Sequence, residues 1–263
     1  MNRIYQMNQT ERRQYLINRL LAEEPQYSEI ETPSDVQGQR RLLRGLMNVR
    51  RPGQIGEEFL QVQDEYLAET AREKGITDLS ELEPLEDGIY VWQGDITTLR
   101  CDAIVNAANS GMTGCYVPCH GCIDNAIHTY AGVQLRNACA QIMQRQGHEE
   151  PTGQAKITPG FNLPCKHVIH TVGPIIMGEL TEEDEELLAS CYRSCLSLAD
   201  ENGVKSIAFC CISTGEFHFP NRRAAEIAVK TVRDYRRENN SEIEVVFNVW
   251  KDIDDAIYRE LLG

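Results

Sequence analysis

The chain has 263 residues, of which 41% are hydrophobic, so it is long enough to bury one large core without disulfide staples. Its 26 Lys and Arg against 40 Asp and Glu give a formal net charge of −14, which disfavours generic attraction to nucleic-acid phosphates or anionic membranes. No apolar run approaches the roughly 18 residues of a membrane span, and Met1 to Tyr5 are unlike a secretory signal, so we expect a cytoplasmic protein with no nucleic-acid or membrane partner.

Residues 1–85 read as a helical N-terminal extension. Helical stretches near 9–24, 34–50 and 56–74 follow one another there, separated by proline-containing breaks, and this part contains no cysteine. No catalytic pattern occurs before residue 88. The extension is therefore predicted to be structural, with recognition of a partner or substrate as the alternative.

From about residue 88 short apolar runs alternate with helical patterns. Runs suited to a buried sheet occur at 89–92, 103–105, 167–170, 206–210 and 244–249. Helical patterns separate them at about 124–146, 181–202, 220–238 and 252–262. This alternation predicts an α/β layer architecture over residues 86–263, in which ligands usually sit at the carboxyl ends of the strands.

The densest chemistry lies in residues 114–125, which contain three thiols, an imidazole and a carboxylate. Thiolate and imidazole are ligands that zinc prefers, and three protein ligands leave a fourth tetrahedral position open. His120 and Cys122 are two residues apart and point to the same side of an extended backbone, and a turn at Pro118 could bring in Cys115. With Cys119 as a fourth ligand, the metal would instead be structural.

Several blocks, taken together, resemble the macrodomain family of ADP-ribose-binding modules. The blocks are residues 93–97, 104–110, 153–164, 168–174 and 213–220. The resemblance spans about 88–263 and implies a three-layer α/β/α macrodomain with a mixed central sheet. With its cysteine loop, the chain is similar to zinc-containing macrodomains linked to sirtuin-type ADP-ribosyltransferases in bacteria, which are ADP-ribosyl hydrolases with a helical N-terminal extension.

The resemblance also implies a metal centre and a catalytic group. The implied zinc ligands are Cys115, His120 and Cys122, with Cys119 as a spare thiol. Asp124 would lie near the anomeric carbon of the distal ribose and orient a water or assist proton transfer, or it would cap the following helix. The amide of Asn109 suits ribose hydroxyls, with a turn role as its alternative, and Asn125 would help to position the ribose.

The same resemblance assigns the substrate-binding residues. They are Asp95, Ile96, Asn109, Ser213, Thr214, Gly215, Glu216, Phe217, Phe219 and Trp250. Asp95 would accept a hydrogen bond from the adenine amino group, unless it only caps a turn or helix. Backbone N–H groups of residues 213–217 would hold the diphosphate. Phe217 and Phe219 would wall the ribose and diphosphate or anchor the loop, and Trp250 would stack on adenine or pack.

These assignments predict a Zn²⁺-dependent hydrolase that removes mono-ADP-ribose from acidic side chains of a modified protein and releases ADP-ribose. Zinc would polarise the ribose oxygens or lower the pKa of a bound water, which can fall to about 7. Three alternatives stay open: a non-catalytic ADP-ribose-binding module with structural zinc, an interaction protein dominated by the extension, and hydrolysis of a small derivative such as the 1″-phosphate.

Overall fold

A six-stranded mixed sheet forms the centre of the computed structural model, which describes residues 7–263. The N-terminal residues compared with a secretory signal lie outside this part. The strands are β1 (Thr77–Asp78), β2 (Ile89–Gln93), β3 (Leu99–Arg100), β4 (Ala103–Ala108), β5 (Ala155–Pro159), β6 (His167–Val172), β7 (Ser206–Phe209) and β8 (Glu244–Val249). The sheet order is β2-β8-β7-β4-β6-β5, and β1 pairs separately with β3. All neighbours in the large sheet are parallel except β5 and β6, which are antiparallel.

Helices cover both faces of this sheet. Those of the described chain are α1 (Gln9–Leu21), α2 (Val36–Val49), α3 (Glu57–Lys74), α4 (Ile123–Ala131), α5 (Val133–Gln146), α6 (Glu182–Glu201), α7 (Asn221–Asn239) and α8 (Asp252–Leu262). Helices α6, α7 and α8 pack side by side as one layer, whereas α4 and α5 pack together on β4 and β5. The predicted three-layer α/β/α arrangement with a mixed sheet is confirmed. None of these helices is both long and apolar enough to cross a bilayer.

The sequence located the five parallel strands of the large sheet but neither β5 nor the short parallel pair β1 and β3. Strands β4, β6, β7 and β8 are buried almost throughout, which is why their apolar runs are nearly continuous. The edge strand β5 carries Lys156, Thr158 and Pro159 and is mostly half-buried. A proline and polar residues are tolerated at a sheet edge, and they hide the strand pattern.

The predicted helix over 124–146 is instead two helices that meet at Gly132. This residue has φ of 92°, a conformation that favours glycine. A Cβ on Gly132 would approach the side-chain amide nitrogen of Gln63 to 2.6 Å. The break also leaves the N–H of Val133 without a helical partner, and it donates to Oε1 of Gln63 in α3 at 3.0 Å. The interruption is therefore a docking point for the extension.

Helices α1, α2 and α3 share an apolar cluster that continues into the α/β part. Leu16, Ile17, Leu43 and Phe59 are at most 2% exposed within it, and Val133 of α5 belongs to the same cluster. Helix α1 starts with a capping box of Asn8 and Glu11. The extension is thus packed onto the layer of α4 and α5.

Replacement of Leu16 by alanine should lower the free energy of unfolding of the whole chain by about 2–5 kcal/mol, because the side chain is fully buried. Urea unfolding followed by circular dichroism would measure the change. The exposed neighbour Gln14 is the control, and its replacement by alanine should alter stability by less than about 0.5 kcal/mol. A small effect of Leu16→Ala would mean that α1 is not firmly packed.

Candidate active site

A cleft of about 700 Å³ lies at the carboxyl edge of the sheet. Because β2, β4, β7 and β8 are parallel, the loops that follow them meet at this edge. The predicted site residues that line the cleft are Asp95, Ile96, Asn109, Cys115, His120, Cys122, Asp124, Ser213, Thr214, Gly215, Glu216, Phe217 and Trp250. Predicted site residues as far apart in the chain as Asp95 and Trp250 therefore face one cavity.

Two predicted site residues are buried behind the cleft and do not line it. Asn125 is fully buried, and its Nδ2 donates to the carbonyl of Val117 at 3.0 Å. Phe219 is 1% exposed and belongs to the main apolar core. Asn125 thus braces the cysteine loop, and Phe219 anchors the loop after β7, which was the alternative given for it.

Cys115, His120 and Cys122 bring three ligand atoms together at one end of the cleft. These atoms lie within 4.8 Å of one another, and Sγ of Cys115 is 3.7 Å from Nδ1 of His120. Tetrahedral zinc with ordinary Zn–S and Zn–N bonds would separate such a pair by roughly 3.6 Å. Two thiols and one imidazole are also a donor set that zinc accepts with a position left open. The three residues therefore fit a zinc ion.

Cys119 points away from this triad, whereas Glu216 lies beside it. The thiol of Cys119 points to the extension and donates to the carbonyl of Arg41 at 3.3 Å. Oε1 of Glu216 lies 3.6 Å from Nε2 of His120, the nitrogen that faces away from Cys115. Carboxylates commonly orient a metal-binding histidine through its second nitrogen. The loop after β7 thus contacts the triad directly.

Asp124 is a buried carboxylate held by two amides. Its Oδ1 accepts from Nδ2 of Asn106 at 2.8 Å, and its Oδ2 accepts from Nδ2 of Asn109 at 3.3 Å. Burial raises the pKa of Asp124 to about 6, although the hydrogen bond from Asn106 and the charge of Arg136 oppose this. Asp124 does not cap α4, because the N-cap is Cys122, whose Sγ accepts from the N–H of Asn125 at 3.4 Å. Asp124 therefore lies within the first turn of α4, and the capping role given as its alternative is wrong.

A row of buried polar groups fixes Asn106 behind Asp124. Nδ2 of Asn106 also lies 3.1 Å from Nδ1 of His170, whose Nε2 is 2.9 Å from Oγ1 of Thr158. Burial lowers the pKa of His170 to about 3, so its ring is neutral and can accept from Asn106. His128 is also buried, with Nε2 3.5 Å from Oδ1 of Asp124. His170 thus holds Asn106, whereas the ring nitrogens of His128 have no hydrogen-bond partner within residues 7–263, and neither histidine lines the cleft.

The loop after β7 presents polar groups to the cleft. Ser213 has φ of 64°, and within residues 7–263 its buried Oγ has no hydrogen-bond partner. In the same described part, the backbone N–H groups of Gly215, Glu216 and Phe217 donate to no other backbone carbonyl. A non-glycine residue in the left-handed region and unpaired N–H groups are features of anion-binding loops. The loop can therefore hold a diphosphate.

The opposite end of the cleft contains Asp95 and Trp250. Asp95 caps the 3₁₀ turn Ile96–Thr98, with Oδ1 accepting from Thr97 N at 3.0 Å, and its Oδ2 accepts from Nζ of Lys74 at 2.5 Å. Burial raises its pKa, but the hydrogen bonds from Lys74 and Thr97 bring the value below the ordinary one. Trp250 is 72% exposed at the rim, so it is available for stacking.

The extension supplies cleft residues that the sequence did not reveal. Arg44 of α2 lines the cleft, and its Nη2 donates to Oδ1 of Asn125 at 2.8 Å and to the carbonyl of His120 at 2.9 Å. Lys74 of α3 also lines the cleft and lies 3.4 Å from the ring centroid of Tyr130. The available signal was the run of basic residues in α2, which stands out in an acidic chain.

Comparisons with known proteins agree with the fold. The family model that matches is the Macro domain, over residues 105–228. A "Protein-ADP-ribose hydrolase" of Treponema medium is 62% identical over 98% of this chain and 100% of its own length. The Oceanobacillus iheyensis macrodomain with ADP superposes with a TM-score of 0.61 at 38% identity, covering 69% of this chain and 93% of that chain. The Trypanosoma brucei macrodomain in complex with ADP-ribose gives a TM-score of 0.63 at 31% identity, covering 76% and 86%.

Proposed function

This chain belongs to the macro domain family, and from that premise we propose that it is a zinc-dependent protein-ADP-ribose hydrolase. Its substrate is a protein mono-ADP-ribosylated on an acidic side chain, and ADP-ribose is the product. The single observation that carries the proposal is that a zinc-compatible triad and the carboxylate of Asp124 line the same cleft. The name of the 62% identical relative, a protein-ADP-ribose hydrolase, supports it.

The proposed substrate lies along the cleft from Trp250 to Cys115. Adenine stacks on Trp250 and donates its amino hydrogen to Asp95, which keeps acceptor capacity beside Lys74. The diphosphate accepts from the backbone N–H groups of residues 215–217. This places the distal ribose between Asn109 and the triad.

Cys115, His120 and Cys122 would hold the zinc ion in this proposal. When bound, zinc supplies a Lewis acid that stabilises negative charge on oxygen near the distal ribose. Oε1 of Glu216 lies 3.6 Å from Nε2 of His120, and Arg44 fixes the backbone of His120 through its carbonyl. The positions of the triad therefore depend on both the loop after β7 and the extension.

In the proposed reaction, Asp124 acts on the water molecule whose oxygen takes the place of the acceptor oxygen on C1″. The carboxylate orients this water and takes one of its protons as the water oxygen bonds to C1″. The bond from C1″ to the acceptor oxygen breaks, and the acceptor leaves as a carboxylate, which needs no added proton at neutral pH. Asn106 and Asn109 hold Asp124 in place by their amide hydrogens.

Incubation with a protein that carries glutamate-linked mono-ADP-ribose should release free ADP-ribose. Pretreatment with a chelator should abolish the release and added Zn²⁺ should restore it, because the triad offers soft ligands. Chromatography of the nucleotide product measures the release. Tight binding of ADP-ribose with no release in any state would instead identify a non-catalytic module with a structural metal.

A further inference from the structure

A second cavity of about 480 Å³ adjoins the cleft between α2, α3 and α4, and we call it the side cavity. Arg44, Lys74 and Tyr130 line both cavities, so the two are adjacent. Cys119 also lines the side cavity, and it directly precedes His120, one of the three candidate metal ligands. The side cavity therefore lies next to the loop of residues 115–122. In the proposed complex, the protein attached to the distal ribose also lies beside this loop.

The side cavity is positively charged although the chain as a whole is acidic. Its lining contains four cationic side chains and one carboxylate, namely Arg40, Arg41, Arg44, Lys74 and Glu73. Glu73 pairs with Arg40 at 2.7 Å, and Lys74 pairs with Asp95. Within residues 7–263, Arg41 and Arg44 have no carboxylate within 4.0 Å. Two guanidinium groups are thus left uncompensated at this site.

Most of the rest of the lining is apolar, with Thr70 and Thr129 as polar members. Leu43, Met47 and Leu67 are buried side chains of α2 and α3 at the floor, and the ring of Tyr130 forms part of the boundary with the cleft. A ligand for this cavity needs carboxylates for the arginines and methylene groups for the floor. Aspartate and glutamate side chains on a peptide have both features.

We propose that the side cavity binds acidic residues that flank the modified side chain of the ADP-ribosylated protein. The inference rests on the proposed function, since it assigns the protein portion of that substrate to a place in the structure. Arg41 recognises the flanking carboxylate as an ion pair, whereas Arg44 serves the cleft and the side cavity together. The site makes the enzyme selective among modified proteins by the charge around the acceptor residue.

Two synthetic peptides with one ADP-ribosylated glutamate test this site, one flanked by aspartates and one by asparagines. The wild-type protein should prefer the acidic peptide by about tenfold in kcat/KM, because complementary charge favours encounter and binding. Arg41→Glu should remove that preference and leave the affinity for free ADP-ribose unchanged, since Arg41 does not line the cleft. If the peptides are not cleaved, their Kd values are compared directly.

Arg145→Glu is the matched control, because Arg145 is exposed and lines neither cavity. It should retain the wild-type preference for the acidic peptide. Equal handling of both peptides by the wild-type protein would overturn the proposal while leaving hydrolysis intact. Binding of two ADP-ribose molecules per chain in calorimetry would also overturn it, because a nucleotide would then occupy the side cavity. A Kd preference without cleavage supports the side cavity and refutes the hydrolase.

Discussion

Cys122→Ser is expected to abolish hydrolysis without unfolding the protein. Cys122 has two roles, since its sulfur is a candidate metal ligand and also accepts from the N–H of Asn125 as the N-cap of α4. Serine is a good N-cap, so the unfolding free energy should change by less than about 1 kcal/mol. Serine is a poor soft ligand, and loss of zinc removes several kcal/mol of charge stabilisation, so kcat should fall on the order of 1,000-fold.

Metal analysis, kcat and urea unfolding of the same preparation would separate these two roles. Cys119→Ser is the control, because the Cys119 thiol bonds to the carbonyl of Arg41 and lies apart from the triad. That variant should keep its zinc and most of its activity. Equal loss of zinc in both variants would mean that Cys119 is a ligand, and full activity of zinc-free Cys122→Ser would refute metal-dependent hydrolysis.

Local signals predicted much of this molecule. Nearly continuous apolar runs predicted the parallel strands of the large sheet. The three thiols and one imidazole of residues 115–122 indicated a metal site, and the structure brings three of their ligand atoms within 4.8 Å of one another. Asp124 and the loop after β7 were predicted from the resemblance to the macrodomain family, and the structure brings both to the same cleft.

Long-range packing decides which side chains reach the cleft and which are buried, and the sequence alone did not predict this. The contact of Arg44 with Asn125 joins residues 81 positions apart, and nothing local in α2 shows which side chain reaches the cleft. Burial of Asn125 has the same origin. Its amide was expected to contact the ribose, but Arg44 of α2 packs on it and the side chain is fully buried. Arg136 is a further case, donating to the carbonyls of Asn48 and Arg50 at 2.6 Å each at the end of α2. The extension was therefore underestimated as a part of the site.

Asp124→Asn is expected to lower kcat by about 100- to 10,000-fold, the range for loss of a general base. The affinity for ADP-ribose should change little, because the amide has the size of the carboxylate and residues 213–217 still hold the diphosphate. The new amide nitrogen would face Nδ2 of Asn106 or Asn109, which are donors, so a stability loss of about 1–3 kcal/mol is also expected. Steady-state kinetics, calorimetry and urea unfolding measure these three effects.

Asp254→Asn is the matched control for this substitution. Asp254 is another buried carboxylate of the cleft, and its Oδ1 accepts from Asn221 at 2.6 Å, a bond that an asparagine oxygen can keep. Its kcat should stay within about threefold of wild type, because it touches neither the triad nor Asn109. If Asp124→Asn weakened ADP-ribose binding as much as it lowered kcat/KM, with kcat itself unchanged, Asp124 would be a binding residue. A loss confined to kcat means that the carboxylate acts when the bond to C1″ is broken.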